Sequence, residues 1–376
     1  MFNKILLLSI TAFLTTAVSA QQFSLTAKIT GFDNGTKFYL EDPDTQIIID
    51  SAITKDNSFV MKSRLDESPK GLFLSATAAG KYYWCYLFTG NEAIRITGDR
   101  KDFPFYMTIS GSKSQDVYNI LNDKIRSLQT LRNGLTENLG SLLTDESDSA
   151  KTKLKELGKK LQHIDSLTTS IRMTFINSNL NSYAGLNELY YLKERFRKDT
   201  LQQMYDGLEK DFRESIYGQR VLNYLKVGDI LKVGDAYEDF EASDQFGHKH
   251  SISALKGRYI LLDFTETYCG PCILSIDELR QVAKSYSDSL SVVSFCADRS
   301  RDTWQTGLSR DKQEWLCLWD GEAYYGKTIL KYGITGYPTF VLIDPGGKII
   351  SKWSGYGKGG IESAIAGKIS SQSAGH

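Results

Sequence analysis

Three periodicities follow one another along the chain. From Phe23 to about Ser110 the apolar residues fall into eight short runs: Phe23–Ile29, Phe38–Glu41, Ile47–Ile53, Phe59–Lys62, Leu72–Ala76, Tyr82–Phe88, Ala93–Thr97 and Tyr106–Ile109. Turn signals such as Phe32-Asp-Asn-Gly35 and Lys55-Asp-Asn57 separate them, since these residue types tolerate the backbone conformations that tight turns need. Short strands at this spacing predict an all-β sandwich or barrel over residues 21–111. The group Tyr82, Tyr83, Trp84, Tyr86 and Phe88 is expected to pack a strand core, with a ligand or partner surface as the alternative.

After Ser112 the period turns helical. Val117, Ile120, Leu121, Leu128, Leu131, Leu135, Leu139 and Leu142 recur mostly three to four apart, as do Leu154, Leu157, Leu161, Ile164, Leu167, Ile171 and Phe175. A polar stretch rich in Asp and Ser, Thr144–Ser149, separates the two sets and predicts two long amphipathic helices in an antiparallel hairpin. Shorter helices are predicted around Ala184–Phe196, Leu201–Leu208 and Phe212–Leu225. This all-α segment, 112–226, reads as a spacer; a homodimer through it is the sharper alternative, because leucine stripes serve cores and interfaces equally. Beyond it, apolar strands and helical stretches alternate: Tyr259–Phe264, Ile273–Tyr286, Leu290–Phe295, Asp298–Asp311, Phe340–Ile343, Lys348–Trp353 and Ile361–Ile369.

The chain has 376 residues, 41% of them hydrophobic, enough for a large core and two or three domains. Lys plus Arg equals Asp plus Glu, 45 each, and with no basic cluster nucleic acid is not an expected partner. At the start, Lys4, the apolar stretch Ile5–Leu14 and Val18-Ser19-Ala20 have the pattern of a cleaved secretory signal peptide over 1–20. The expected location is therefore periplasmic or otherwise exported. An uncleaved anchor is the alternative, and no cysteine follows to carry a lipid.

Five cysteines are an odd number for an oxidising compartment. Cys269 follows a buried-strand pattern, Tyr259–Phe264, and stands just before a helical one, where unpaired N–H groups and the helix dipole favour an anion and make the sulfur a nucleophile. Pro271 suits a first helical turn. Cys272, about one turn on, can reach back to close a disulfide. Three readings compete. A zinc knuckle lacks a second C-x-x-C, with only His248 and His250 nearby; a purely structural bridge across so short a loop would restrict the unfolded chain little; redox chemistry needs only the pair itself. A peroxidase of the peroxiredoxin kind would want threonine where Glu266 stands. Cys85, Cys296 and Cys317 lie among apolar and aromatic neighbours and read as buried thiols, with a Cys296–Cys317 bridge as the minority alternative. No metal and no cofactor are called for.

Asp263-Phe264 through Tyr268-Cys-Gly-Pro-Cys272, followed by Thr335-Gly-Tyr-Pro-Thr-Phe-Val-Leu-Ile-Asp344, resembles the thioredoxin-fold domain of secreted TlpA/ResA-type thiol:disulfide oxidoreductases. The likeness runs from about Val227 to Ile369, and the domain is expected over 227–376. It implies an α/β thioredoxin fold, a hairpin at Phe240–Ile252 before the central strand, and an extra strand and helix within Trp315–Gly333. The region before it resembles the small β-sandwich domain of unknown function that often precedes thioredoxin domains in secreted bacterial proteins. Carried over residue by residue, the resemblance makes Cys269 the attacking thiolate, Cys272 the resolving thiol and Asp263 a buried acid that exchanges a proton with Cys272. It makes Pro338 a cis proline opposite the pair, with Tyr337 offering backbone hydrogen bonds to substrate. Protein disulfides are the implied substrates and a membrane thiol-electron donor the implied partner. A ligand- or partner-binding protein whose redox pair is secondary is the rival reading. Departures are Tyr268 in place of the usual tryptophan, Thr265–Thr267 in place of a more apolar tripeptide, and Ser275 and Asp277 where close relatives tend to have glutamate and proline.

Overall fold

The computed structural model describes residues 22–369 except 46, 67, 68, 138 and 146, so the signal peptide expected at 1–20 lies outside the described residues. Among those described, no helix is long and apolar enough to cross a membrane. Eight strands come first: β1 (Phe23–Thr30), β2 (Lys37–Asp42), β3 (Ile47–Ile53), β4 (Ser58–Ser63), β5 (Lys70–Ala78), β6 (Lys81–Thr89), β7 (Ala93–Asp99) and β8 (Thr108–Ser110). They make two four-stranded sheets, β4-β1-β7-β8 and β3-β2-β5-β6. Buried and less buried positions alternate along β1, as a strand with one face on the core requires. Phe23, Leu25, Phe38, Leu40, Leu72, Leu74 and Leu87 fill that core.

The aromatic run on β6 does not pack as expected. Side chains alternate faces along a strand, so Cys85 and Leu87, with Tyr83 beside them, enter the sandwich core. Tyr82, Trp84, Tyr86 and Phe88 belong to the other face: Phe88 and Tyr86 pack with the helical segment, while Tyr82 is exposed.

That segment holds α1 (Lys113–Thr136), α2 (Leu139–Thr144), α3 (Asp148–Ser178), α4 (Tyr183–Leu192), α5 (Lys198–Asp206), α6 (Lys210–Glu214) and α7 (Ile216–Lys226). Ser112 and Ser147 cap α1 and α3 by accepting from Gln115 N and Ala150 N, which satisfies otherwise orphaned donors. The first long helix stops at Thr136 rather than reaching Leu142; the Thr136 hydroxyl bonds back to the Arg132 and Asn133 carbonyls, at 3.1 Å each, a local competitor of helical pairing. The helix predicted over Phe212–Leu225 is two, split at Ser215, whose hydroxyl caps α7. The helical core includes Phe88 from β6 and Ala323, Tyr325 and Leu330 from beyond the segment, and of the two stripes it takes in Val117, Leu121, Ile171 and Phe175. Ile120, Leu131 and Leu167 are exposed.

The remaining elements are β9 (Glu241–Ser243), β10 (Lys249–Ser251), β11 (Tyr259–Thr265), α8 (Gly270–Ser285), β12 (Leu290–Cys296), α9 (Arg301–Asp311), β13 (Leu316–Trp319), α10 (Lys327–Lys331), β14 (Thr339–Ile343), β15 (Ile349–Ser354) and α11 (Gly360–Ile369). Their mixed sheet runs β10-β9-β13-β12-β11-β14-β15. β11 lies parallel to β12 and antiparallel to β14, and all its residues are buried, because helices and loops cover both faces. Tyr259 and Leu261 of β11 and Leu290 and Val292 of β12 pack with Leu279 and Val282 of α8. Two residues further along each strand, the same face carries Asp263 and Ser294.

One carboxylate ties the three segments together. Asp44, in the loop after β2, accepts from Arg220 of α7 at 2.7 Å, from Tyr324 Oη at 2.5 Å and from Tyr325 Oη at 3.2 Å, and lies 3.6 Å from Arg299. Burial works against its charge, yet Arg220, the Tyr324 hydroxyl and Arg299 together hold the carboxyl below its usual range.

Candidate active site

Cys269 is the N-cap of α8, and the Cys272 N–H points at its sulfur at 3.2 Å. The two cysteines form a disulfide with Cα atoms 5.2 Å apart. Cys269 is half-buried, whereas Cys272 is only 2% exposed. Around the bridge lie exposed apolar side chains, Tyr268, Ile273 and Leu274. Cys85, Cys296 and Cys317 are free and buried, and burial pushes each thiol up, Cys85 to about 12. Thiols held neutral in this way are poor nucleophiles.

The loop that presents Cys269 is held from several sides. Asp298, just after β12, accepts from Thr267 N at 3.2 Å, from the Thr267 hydroxyl and from Cys296 Sγ at 2.9 Å. Arg310 of α9 donates to the Thr267 carbonyl at 2.8 Å. Gly307 of α9 leaves the room: a Cβ there would stand 2.5 Å from Thr267 Oγ1.

Asp263 is 1% exposed. Its Oδ2 accepts from Ser294 Oγ at 2.7 Å, and Ser294 in turn accepts from Trp315 Nε1 at 2.9 Å. Oδ1 has no hydrogen-bond partner among the described residues. Burial pushes this carboxyl up to about 7, the Ser294 hydroxyl opposing only part of the effect. An acid balanced near neutral pH can take and give a proton under working conditions. The Tyr337–Pro338 peptide is cis. Tyr337 packs against the sheet core with a buried, unpartnered hydroxyl, and burial pushes its phenol up.

Glu266 was not among the expected site residues. Burial, and then the Asp298 charge, push its carboxyl up to about 7. The only signal in the sequence is the polar tripeptide Thr265–Thr267 itself. His248 and His250 stand on the expected exposed turn, and both reach Asp244, at 3.3 and 2.8 Å; the tight turn accounts for this, since Asp244 also accepts from the Phe246 and His248 amides.

A family model described as thioredoxin-like matches residues 257–349, which contain the cysteine pair, Asp263 and Pro338; one described as a domain of unknown function, DUF4369, matches 23–118. Nucleoredoxin of Bos taurus is 27% identical over 111 residues, 28% of this chain and 25% of that protein, so the chain spans about a quarter of that relative's length. The thiol-disulfide oxidoreductase ResA of Bacillus cereus is 23% identical over 133 residues, 35% of this chain and 75% of that one. A solved thiol-disulfide oxidoreductase from Bacteroides fragilis is 27% identical, covering 36% of this chain and 98% of its own, with a TM-score of 0.33. Residues 257–349 are thus a thioredoxin-like domain homologous to ResA-type thiol-disulfide oxidoreductases, in a chain that also carries a separate DUF4369 domain.

Proposed function

We propose that this chain is an exported thiol:disulfide oxidoreductase that reduces protein disulfides through Cys269 and Cys272. The supporting observation is the asymmetry of the pair: one sulfur half-exposed with an amide aimed at it, the other buried behind it. In the reduced protein the Cys269 thiolate attacks a substrate disulfide and expels one substrate thiolate. Cys272 then attacks the Cys269 sulfur of the mixed disulfide, Asp263 takes the Cys272 proton, and the second substrate sulfur leaves as a thiolate. Two electrons pass from the pair to the substrate.

Gly270-Pro271 between the cysteines favours the reducing direction, since thioredoxin, with the same dipeptide, sits near about −270 mV. Each turnover leaves the pair oxidised, so the reading requires a membrane thiol-electron donor. Tyr268, Ile273 and Leu274 supply an apolar rim for an unfolded or partly unfolded protein, and the backbone of Tyr337 would pair with its extended segment. Full-length Cys272→Ser should accumulate mixed disulfides with its substrates, resolvable by reductant on a gel. Native-rate insulin reduction by Cys269→Ser would refute the assignment.

A second reading, in which the N-terminal half captures a ligand or partner, is favoured by one observation. A cavity of about 350 Å³ lies between the outer face of β5 and β6 and helices α1, α3 and α4, walled by Phe73, Trp84, Tyr86 and Tyr118 above the Arg172–Glu188 ion pair. Trp84→Ala separates the two readings: insulin reduction unchanged places the cavity outside the redox cycle.

A further inference from the structure

The proposed cycle loads a proton onto Asp263 at every turnover, and Asp263 is sealed from solvent. Re-reduction of the pair takes one proton back to Cys272, and each exchange between this sealed carboxyl and solvent needs a path of hydrogen-bonding groups. On one side the carboxylate meets Ser294, its register neighbour on β12, and the next strand places Cys317 opposite Ser294. Ser294, Cys296 and Cys317 line a cavity of about 20 Å³ whose other wall includes Glu266 and Gln313. That volume admits one water molecule, and the lining offers it a hydroxyl, a carboxylate and an amide, the number of polar partners a buried water needs. Glu266 is half-buried, lines this cavity and belongs to the loop that carries Cys269.

We propose that Glu266 is the outlet of a proton relay that starts at Asp263, passes through the Ser294 hydroxyl and crosses this cavity to solvent. The proposal rests on the reading of Asp263 as the acceptor for Cys272. With the Ser294 hydroxyl turned from Asp263 to the water, protonated Asp263 gives its proton to Ser294 Oγ as the Ser294 proton passes to the water and a water proton passes to the Glu266 carboxylate, in one concerted shift, and Glu266 then releases it outside. Every bond broken in the chain is re-formed one proton later, with no net change in Ser294 or the water.

Glu266 is faced by Asp298 and Cys296 from the end of β12 and by Tyr337 from the loop before β14. Asp311 of α9 lines the same cavity, and Arg310 holds the adjacent Thr267 carbonyl. Burial, and then the Asp298 charge, bring the Glu266 carboxyl near the affinity of Asp263, both at about 7. A concerted transfer between end groups matched in this way has little net free-energy change in either direction. Glu266 acts through Asp263 and is a positioning residue, not a catalytic one.

The test uses full-length reduced protein and follows decay of the mixed disulfide with insulin from about pH 5 to about pH 9. Glu266→Gln should slow this step about tenfold near neutral pH, with the native rate restored by concentrated imidazole as a mobile proton carrier, and largely retained in Glu266→Asp. Asp263→Asn should flatten the pH profile, and imidazole should not rescue it. A Glu266→Gln profile identical to native, beside a flattened Asp263→Asn profile, overturns the relay and leaves the Asp263 reading standing. A slow Glu266→Gln that neither imidazole nor the aspartate variant restores makes Glu266 structural and also overturns it. An unchanged Asp263→Asn profile removes the parent reading itself.

Discussion

Asp263 should weaken the protein whenever it is ionised, and the Asp263→Asn variant measures by how much. The folded chain raises this carboxyl from 3.8 to about 7. That is about 3 pH units, and at 1.36 kcal/mol per unit it corresponds to about 4 kcal/mol. The folded protein binds the proton more tightly than the unfolded chain, so the favourable contribution is fully present below about pH 4. It is lost as pH rises from about 4 to about 7, and the penalty is constant above that. Asparagine keeps the shape and an oxygen for the Ser294 hydroxyl to bond, without the charge. Guanidinium unfolding of the oxidised native and variant proteins at the same pH cancels other groups that titrate here, Glu266 at about 7 and Asp320 at about 6 among them. The two proteins should be nearly equal in stability at about pH 4, with the variant more stable by about 4 kcal/mol at about pH 8. A gap that does not grow with pH, or a variant less stable at high pH, would refute the burial argument.

Ser294→Ala removes the one hydrogen bond that favours the Asp263 charge, so the midpoint of the mixed-disulfide decay profile should rise by about one pH unit; a fall would contradict the assignment. Asp44→Ala leaves Arg220, 6% exposed, without its carboxylate, and calorimetry should show a loss of about 3–5 kcal/mol, with a loss under about 1 kcal/mol counting against the junction. Gly307→Ala forces a methyl against Thr267 Oγ1; overpacking should cost about 1–3 kcal/mol and slow insulin reduction, both in the same protein.

What can be read from the chain alone follows the range of the interactions. β11 is legible because Tyr259–Phe264 is apolar throughout but for Asp263, and the cysteines at its end sit where a helix must begin. The eight N-terminal runs coincide with strands because their periodicity is local and the turns carry Asp, Asn and Gly. The faces of β6 are harder to read. Aromatic residues lie on both, and which face is core depends on α1, whose Gln115 accepts from Phe88 N at 2.8 Å. Glu266 is equally opaque, since the charge and ring that face it, Asp298 and Tyr337, arrive from the loops after β12 and before β14. Asp44 sits in Asp42-Pro-Asp44, a sequence that looks like a solvated turn; its guanidinium partner is 176 residues away.

The Asp44 junction also bears on how this protein can be re-engineered. Grafting onto the same front half a thioredoxin-like domain without counterparts of Tyr324, Tyr325 and Arg299 would leave Asp44 with Arg220 alone. A transplant that keeps this junction therefore has to carry the acceptor loop and its recipients together.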